Sequence, residues 1–221
     1  MKVIIFNLLF ISCISVFGQV NSDVNLFEYI KEIQKWDKTG NKMALTFWIP
    51  NSYWSIALSN NDQVPPETIK QIENAFENYV FICALDVLIN SDGTMTCADE
   101  SELRNTISLV DNNGKIYLPL SDDQISPMAK TLSSGIKPMF VQMLGQMGKG
   151  MYFYFFEVND SNNKNLINEY EKGEFTIKHS NKEFKYILPL ATLLPPKFCP
   201  VDKEQMKGNW NYCPIHGVKL K

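Results

Sequence analysis

The chain has 221 residues, 45% of them hydrophobic and 12% aromatic, with a formal net charge of −3. That content excludes a disordered chain, which has too little apolar surface to offset the entropy lost on folding. Arg104 is the sole arginine and the lysines are scattered among acids, so the basic face of a nucleic-acid binder is missing and nucleic acid is not an expected partner.

The chain opens with Met1-Lys2 and an apolar run from Val3 to Phe17 that ends at Gly18, with polar sequence beyond. A run of about 15 residues is too short for a bilayer crossing, which takes about 20. Charge, apolar run and small residue come in the order of a cleavable export signal over residues 1–18. The expectation is an exported protein, periplasmic or extracellular. Leu9 to Cys13 also resembles a lipobox, which would make Cys13 a lipidated first residue. Phe10 fits that pattern poorly, so cleavage after Gly18 is favoured. No later segment is apolar enough to span a membrane, so the mature chain is expected to have no transmembrane span.

Residues 19–196 read as one mixed domain. Ser22-Asp23 can cap a first helix carrying Leu26, Phe27, Ile30, Ile33 and Trp36 on one face. Lys42 to Pro50 reads as a strand, and Asn51 to Leu58 is open between helix and strand. Pro65-Pro66-Glu67 starts a helix with a stripe of Ile69, Ile72, Ala75, Phe76 and Tyr79. Val80 to Ile89 suits a central strand, and Asp92-Gly93 predicts a hairpin to Thr94–Cys97 with Cys97 opposite Leu88. After the acidic stretch 99–102 come Ile107 to Val110, a turn at Asn113-Gly114, and Lys115 to Leu120. Asp123 to Gly148 reads as one or two helices around Pro138. Met151 to Val158 is an aromatic strand, and Phe175–His179 with Phe184–Leu190 a last hairpin. Ser108–Leu120 and Thr176–Leu190 share one rhythm of strand, polar turn, strand and Leu-Pro-Leu. Together these predict an α+β fold, an antiparallel sheet or β-sandwich with inserted helices.

Residues 197–221 carry the most specific pattern. Cys199-Pro200-Val201-Asp202 and Cys213-Pro214-Ile215-His216-Gly217 share one plan: Cys, Pro, any residue, then a side chain able to bind metal. A tight turn after the first ligand returns the residue three places on to the same ion, and two such turns supply a tetrahedron. The segment resembles a degenerate zinc ribbon of the Cys-Pro-x-Cys-Gly type, with Asp202 and His216 where that family has Cys and Lys203 where it has the first Gly. The resemblance implies a small zinc-ribbon-like knuckle with Cys199, Asp202, Cys213 and His216 around a structural zinc ion. A Cys199–Cys213 disulfide is the alternative, suited to an oxidising compartment and contributing about 3 kcal/mol for a loop of about 15 residues. The layout as a whole resembles exported bacterial proteins of unassigned activity that join a mixed α/β domain to such a tail.

Other candidates have structural readings beside the functional one. Cys83 is expected in the core, out of reach of Cys97 across the hairpin. Met139, Met143 and Met147 recur every four residues and suit a core face, or soft ligands for Cu(I). His179 is expected at the surface. Asp86, Asp92, Asp99, Glu100 and Glu102 read as a solvated turn rather than a calcium loop. Trp48, Tyr53 and Trp54 suit a core, or a platform for sugar or peptide. The leading expectation is an exported binding or interaction module for a protein or small-molecule ligand, its tail clipped by metal. A hydrolase-like enzyme with a site in the central sheet and a copper-handling protein are the alternatives.

Overall fold

The computed structural model describes residues 24–59, 61, 63–159 and 165–221. The export signal, Cys13 and the Ser22-Asp23 cap lie outside the described residues. The first helix, α1 (Leu26–Ile33), is capped instead by Asn25, whose Oδ1 accepts from the Phe27 and Glu28 amides. Trp36 is not on it. The chain turns extended at Gln34, and Trp36 sits half-exposed in β1 (Gln34–Thr39), because the i+3 step from Ile33 coincides with the strand's own alternation.

Strand β2 (Lys42–Ile49) follows, then helices α2 (Ser52–Leu58) and α3 (Pro66–Phe76), the latter with proline in its first turn. The apolar run becomes β3 (Tyr79–Ile89), the centre of a five-stranded sheet. One edge of β3 pairs with β2 along eight residues. The other is shared between β4 (Met95–Cys97) and β7 (Tyr152–Glu157). The hairpin register differs from expectation by one residue: Cys97 faces Val87, not Leu88. Asn90 pairs with Thr94 and Gly93 adopts φ +84, so the turn holds three residues with glycine at the left-handed position.

The acidic stretch 99–102 is the start of a helix. Asp99 accepts from the Glu102 amide while Glu102 accepts from the Asp99 amide, opening α4 (Glu100–Thr106) with a reciprocal cap. Next come β5 (Ser108–Val110), β6 (Ile116–Tyr117), the long helix α5 (Pro127–Leu144), which runs through Pro138, and the single turn α6 (Gln146–Lys149). The last hairpin is β8 (Gly173–His179) and β9 (Lys182–Leu188). The two hairpins that echo each other in sequence belong to one four-stranded sheet, ordered β6-β5-β8-β9.

The expected α+β architecture is observed, with every strand pair antiparallel. One face of the large sheet meets the small one: Trp48 packs edge-on against Phe175 and Tyr186, and Tyr186 Oη lies 2.8 Å from Thr46 Oγ1 in the buried layer. The opposite face carries an aromatic stack, with Trp54 of α2 on Phe76 of α3, Phe76 on Phe81, and Phe81 on Phe155, at centroid spacings of 4.8–5.1 Å. Trp48 and Trp54 are therefore core residues, and Tyr53 packs edge-on against Phe47 and Trp54. No helix among the described residues is long and apolar enough to cross a membrane.

Candidate metal centre

The tail folds as two hairpins laid side by side. The first turn lies between β10 (Lys197–Phe198) and β11 (Gln205–Met206); the second lies inside a bridge joining Tyr212 and Lys219. Phe198 and Lys221 exchange backbone hydrogen bonds and tie the hairpins together. Cys199, Met206, Cys213 and Leu220 form a small core separate from the main one. Segment 208–210 docks this unit on the main domain. Asn209 donates to the Pro189 carbonyl at 3.1 Å, and a Cβ on Gly208 would come within 2.6 Å of Leu194 and Pro195.

The two turns are built alike. The Cys199 carbonyl accepts from the Lys203 amide at 2.9 Å, and the Cys213 carbonyl from the Gly217 amide at 2.9 Å. The Cys199 amide donates to Glu204 O, the Cys213 amide to Val218 O. Lys203 and Gly217 take matching positive φ values, +65 and +66. Each turn therefore brings the side chain three places after its cysteine back beside the sulfur.

The Cys199 and Cys213 sulfurs and a ring nitrogen of His216 all lie within 4.8 Å of one another. His216 Nδ1 is 3.4 Å from Cys199 Sγ and 3.6 Å from Cys213 Sγ. With Zn–S near 2.3 Å and Zn–N near 2.05 Å, the S···N edge of a regular tetrahedron is about 3.6 Å. The donor set therefore fits a small tetrahedral ion. Asp202 stands beside this group of three. Its Oδ2 is 3.6 Å from His216 Nδ1, against about 3.4 Å for the O···N edge, while its Oδ1 accepts from the Glu204 amide at 3.0 Å.

Electrostatics distinguish the two thiols. Burial, which outweighs the nearby amides, holds Cys199 above the ordinary thiol range. At Cys213 burial pushes up as well, but the His216 and Ile215 amides and the imidazole pull the group below that range. The Glu204 amide and the Cys199 thiol hold Asp202 below the usual carboxylate range. Cys213 is thus the readier thiolate. Both cysteines are free, as are Cys83 and Cys97.

The remaining candidates are placed as follows. Cys83 is fully buried in the core, and the register leaves it four residues from the partner of Cys97. The recurrent methionines do not share one face. α5 ends at Leu144 with Gly145 at φ +56, so Met147 falls on α6 and is buried, while Met139 is 48% exposed. The Met143 side chain lies outside what the structure describes. Asp92 accepts from Thr94 in its turn, and Asp99 and Glu102 are committed to the helix cap. His179 is a correction. It is 1% exposed, because it alternates inward with Phe175 and Ile177, and it stacks on Phe184 at 5.1 Å. That alternation is visible in the sequence and would have placed it inside. Compared with protein-family models, curated proteins and solved structures, the chain matches none.

Proposed function

We propose that the chain is an exported binding module, secreted or periplasmic, whose C-terminal tail is clipped by a structural zinc ion on Cys199, Cys213 and His216, with Asp202 completing the shell. The observation that carries this is the convergence of two sulfurs with His216 Nδ1, which lies at a tetrahedral edge length from each of them, delivered by two turns of one design. Two thiolates with an imidazole suit a borderline-soft ion such as zinc. A shell filled by protein side chains leaves no open position for water, so the ion acts on folding rather than on a substrate. The order of charge, apolar run and small residue over residues 1–18 supports export.

A binding role is favoured over the hydrolase-like alternative because the acids Asp92, Asp99 and Glu102 are engaged in turn and cap. The test is elemental analysis of the chain purified without residues 1–18. Zinc near one per chain is expected, lost in Cys199→Ser and in Cys213→Ser. Metal-free protein carrying a Cys199–Cys213 disulfide in thiol-trapping mass spectrometry refutes the clip. Asp202→Ala should keep the metal with lower affinity.

A further inference from the structure

Where β2 begins and β3 runs out beside the β8–β9 turn, the sandwich opens into a cavity of about 410 Å³, within the range of small-molecule sites. Lys42, Asp86, Leu103, Ser180 and Lys182 line it. Ala44 stands opposite Asp86, so Lys42, Ala44 and Asp86 point to one side of the sheet, the side on which Thr46 meets Tyr186. The Asp86 carboxylate therefore faces the layer between the sheets. His179 enters that layer from the other sheet, directly before Ser180 in the cavity wall.

The polar groups here are unevenly satisfied. Lys182 is bound to Asp37 and Thr39, and Glu102 takes the Asp99 amide. Asp86 and Lys42 make no side-chain hydrogen bond or ion pair among the described residues. His179, behind Ser180, is buried outside the cavity wall, with Nδ1 3.2 Å from Ser180 Oγ and the Leu45 carbonyl beside the ring. A half-buried carboxylate without a partner costs stability, and an incoming cation that bonds it removes that cost.

The unpaired groups have opposite charge and different depth. Asp86 is half-buried, Lys42 is exposed at the rim, and Met43, Ala98 and Leu103 give the walls apolar surface. The complement is a compact molecule with an ammonium at one end, a carboxylate at the other and a small apolar side chain. We propose that this cavity binds an amino-acid-sized zwitterion, its ammonium on Asp86 and its carboxylate on Lys42. The site gives a ligand class to the binding module proposed above and rests on that reading. It lies at the opposite end of β9 from Pro189, where the tail docks, so it does not depend on the clip.

The test is isothermal titration of the full metal-loaded mature chain with L-leucine, with isopentylamine (leucine without its carboxylate) and with isocaproate (without its ammonium). Leucine should bind at least about tenfold more tightly than either stripped analogue, and Asp86→Asn should weaken leucine by at least about tenfold. In Lys42→Met the gap between leucine and isopentylamine should close. The proposal is overturned if leucine fails to bind at millimolar concentration, if isopentylamine matches leucine in the unaltered chain, if Asp86→Asn binds normally, or if the gap survives in Lys42→Met. Leucine recovered chemically changed after incubation would leave the site standing and refute the binding-module reading instead.

Discussion

Lys203 holds φ +65 in a turn whose counterpart uses Gly217 at +66. A side chain in that region costs about 1 kcal/mol that glycine avoids. Lys203 is exposed and its ammonium reaches only the Pro200 carbonyl at 3.3 Å. Lys203→Gly is therefore expected to stabilise the tail by about 0.5–1 kcal/mol, read as a higher chelator concentration for metal release. His179 leads to a prediction of opposite sign. Burial lowers its pKa to about 4, although Asp86 and the Leu45 carbonyl oppose the shift. Its neutral form is the one compatible with the fold, so its full contribution is present above pH 6.5. As pH falls the unfolded chain takes up the proton first, and about 3 kcal/mol is lost by pH 4. Denaturant titrations of the chain and of His179→Phe should diverge across that window, with the variant the flatter. The candidate donor cluster was legible at this scale because its spacing is local: two Cys-Pro turns bring three donors together without help from the rest of the fold. The cavity was not legible. Lys42, Asp86 and Ser180 are remote in sequence, and only strand pairing makes them neighbours.

Among the elements, α4 shows how one composition supports two readings. Asp99-Glu100-Ser101-Glu102 looks like a solvated turn if charge alone is weighed, yet Asp followed three places on by Glu is a helix start, and the structure uses it so. Asp99→Ala should cost about 1 kcal/mol in thermal or chemical unfolding, while Glu100→Gln, outside the reciprocal pair, should cost little. The one-residue difference at the β3–β4 hairpin has the same character. Asp92-Gly93 does mark the turn, but glycine takes the third position of a three-residue loop, and that shifts every later pairing. Pro138 marks no break: it lies inside α5, and the helix ends at Gly145 instead. Long apolar strands and proline-started helices were readable because each rests on one strong local preference. Boundaries were harder, since neighbouring preferences compete there.

For the whole molecule, alternation in a strand tells which side is apolar but not which layer covers it. The paired hairpins were visible as a repeated rhythm; that β5 and β8 join them into one sheet was not, because the contact spans two helices and two strands. The sheets are linked by Tyr186 and Thr46, and burial, opposed by the Thr46 hydrogen bond, keeps the phenol protonated well above its ordinary range. Tyr186→Phe should cost about 1 kcal/mol and leave the sheets in contact, with the near-ultraviolet signal of Trp48 as the second readout. The divided outer edge of β3 also has a consequence for how the chain comes into being. Residues 79–84 gain their partner on that side only when Tyr152 onward has emerged. At about 5–20 residues per second, one of the most apolar stretches of the polypeptide waits several seconds with its outer amides and carbonyls lacking a strand partner. Nascent forms stopped before that point should stick to one another through this seam, and whatever escorts the newborn protein must shield it there first.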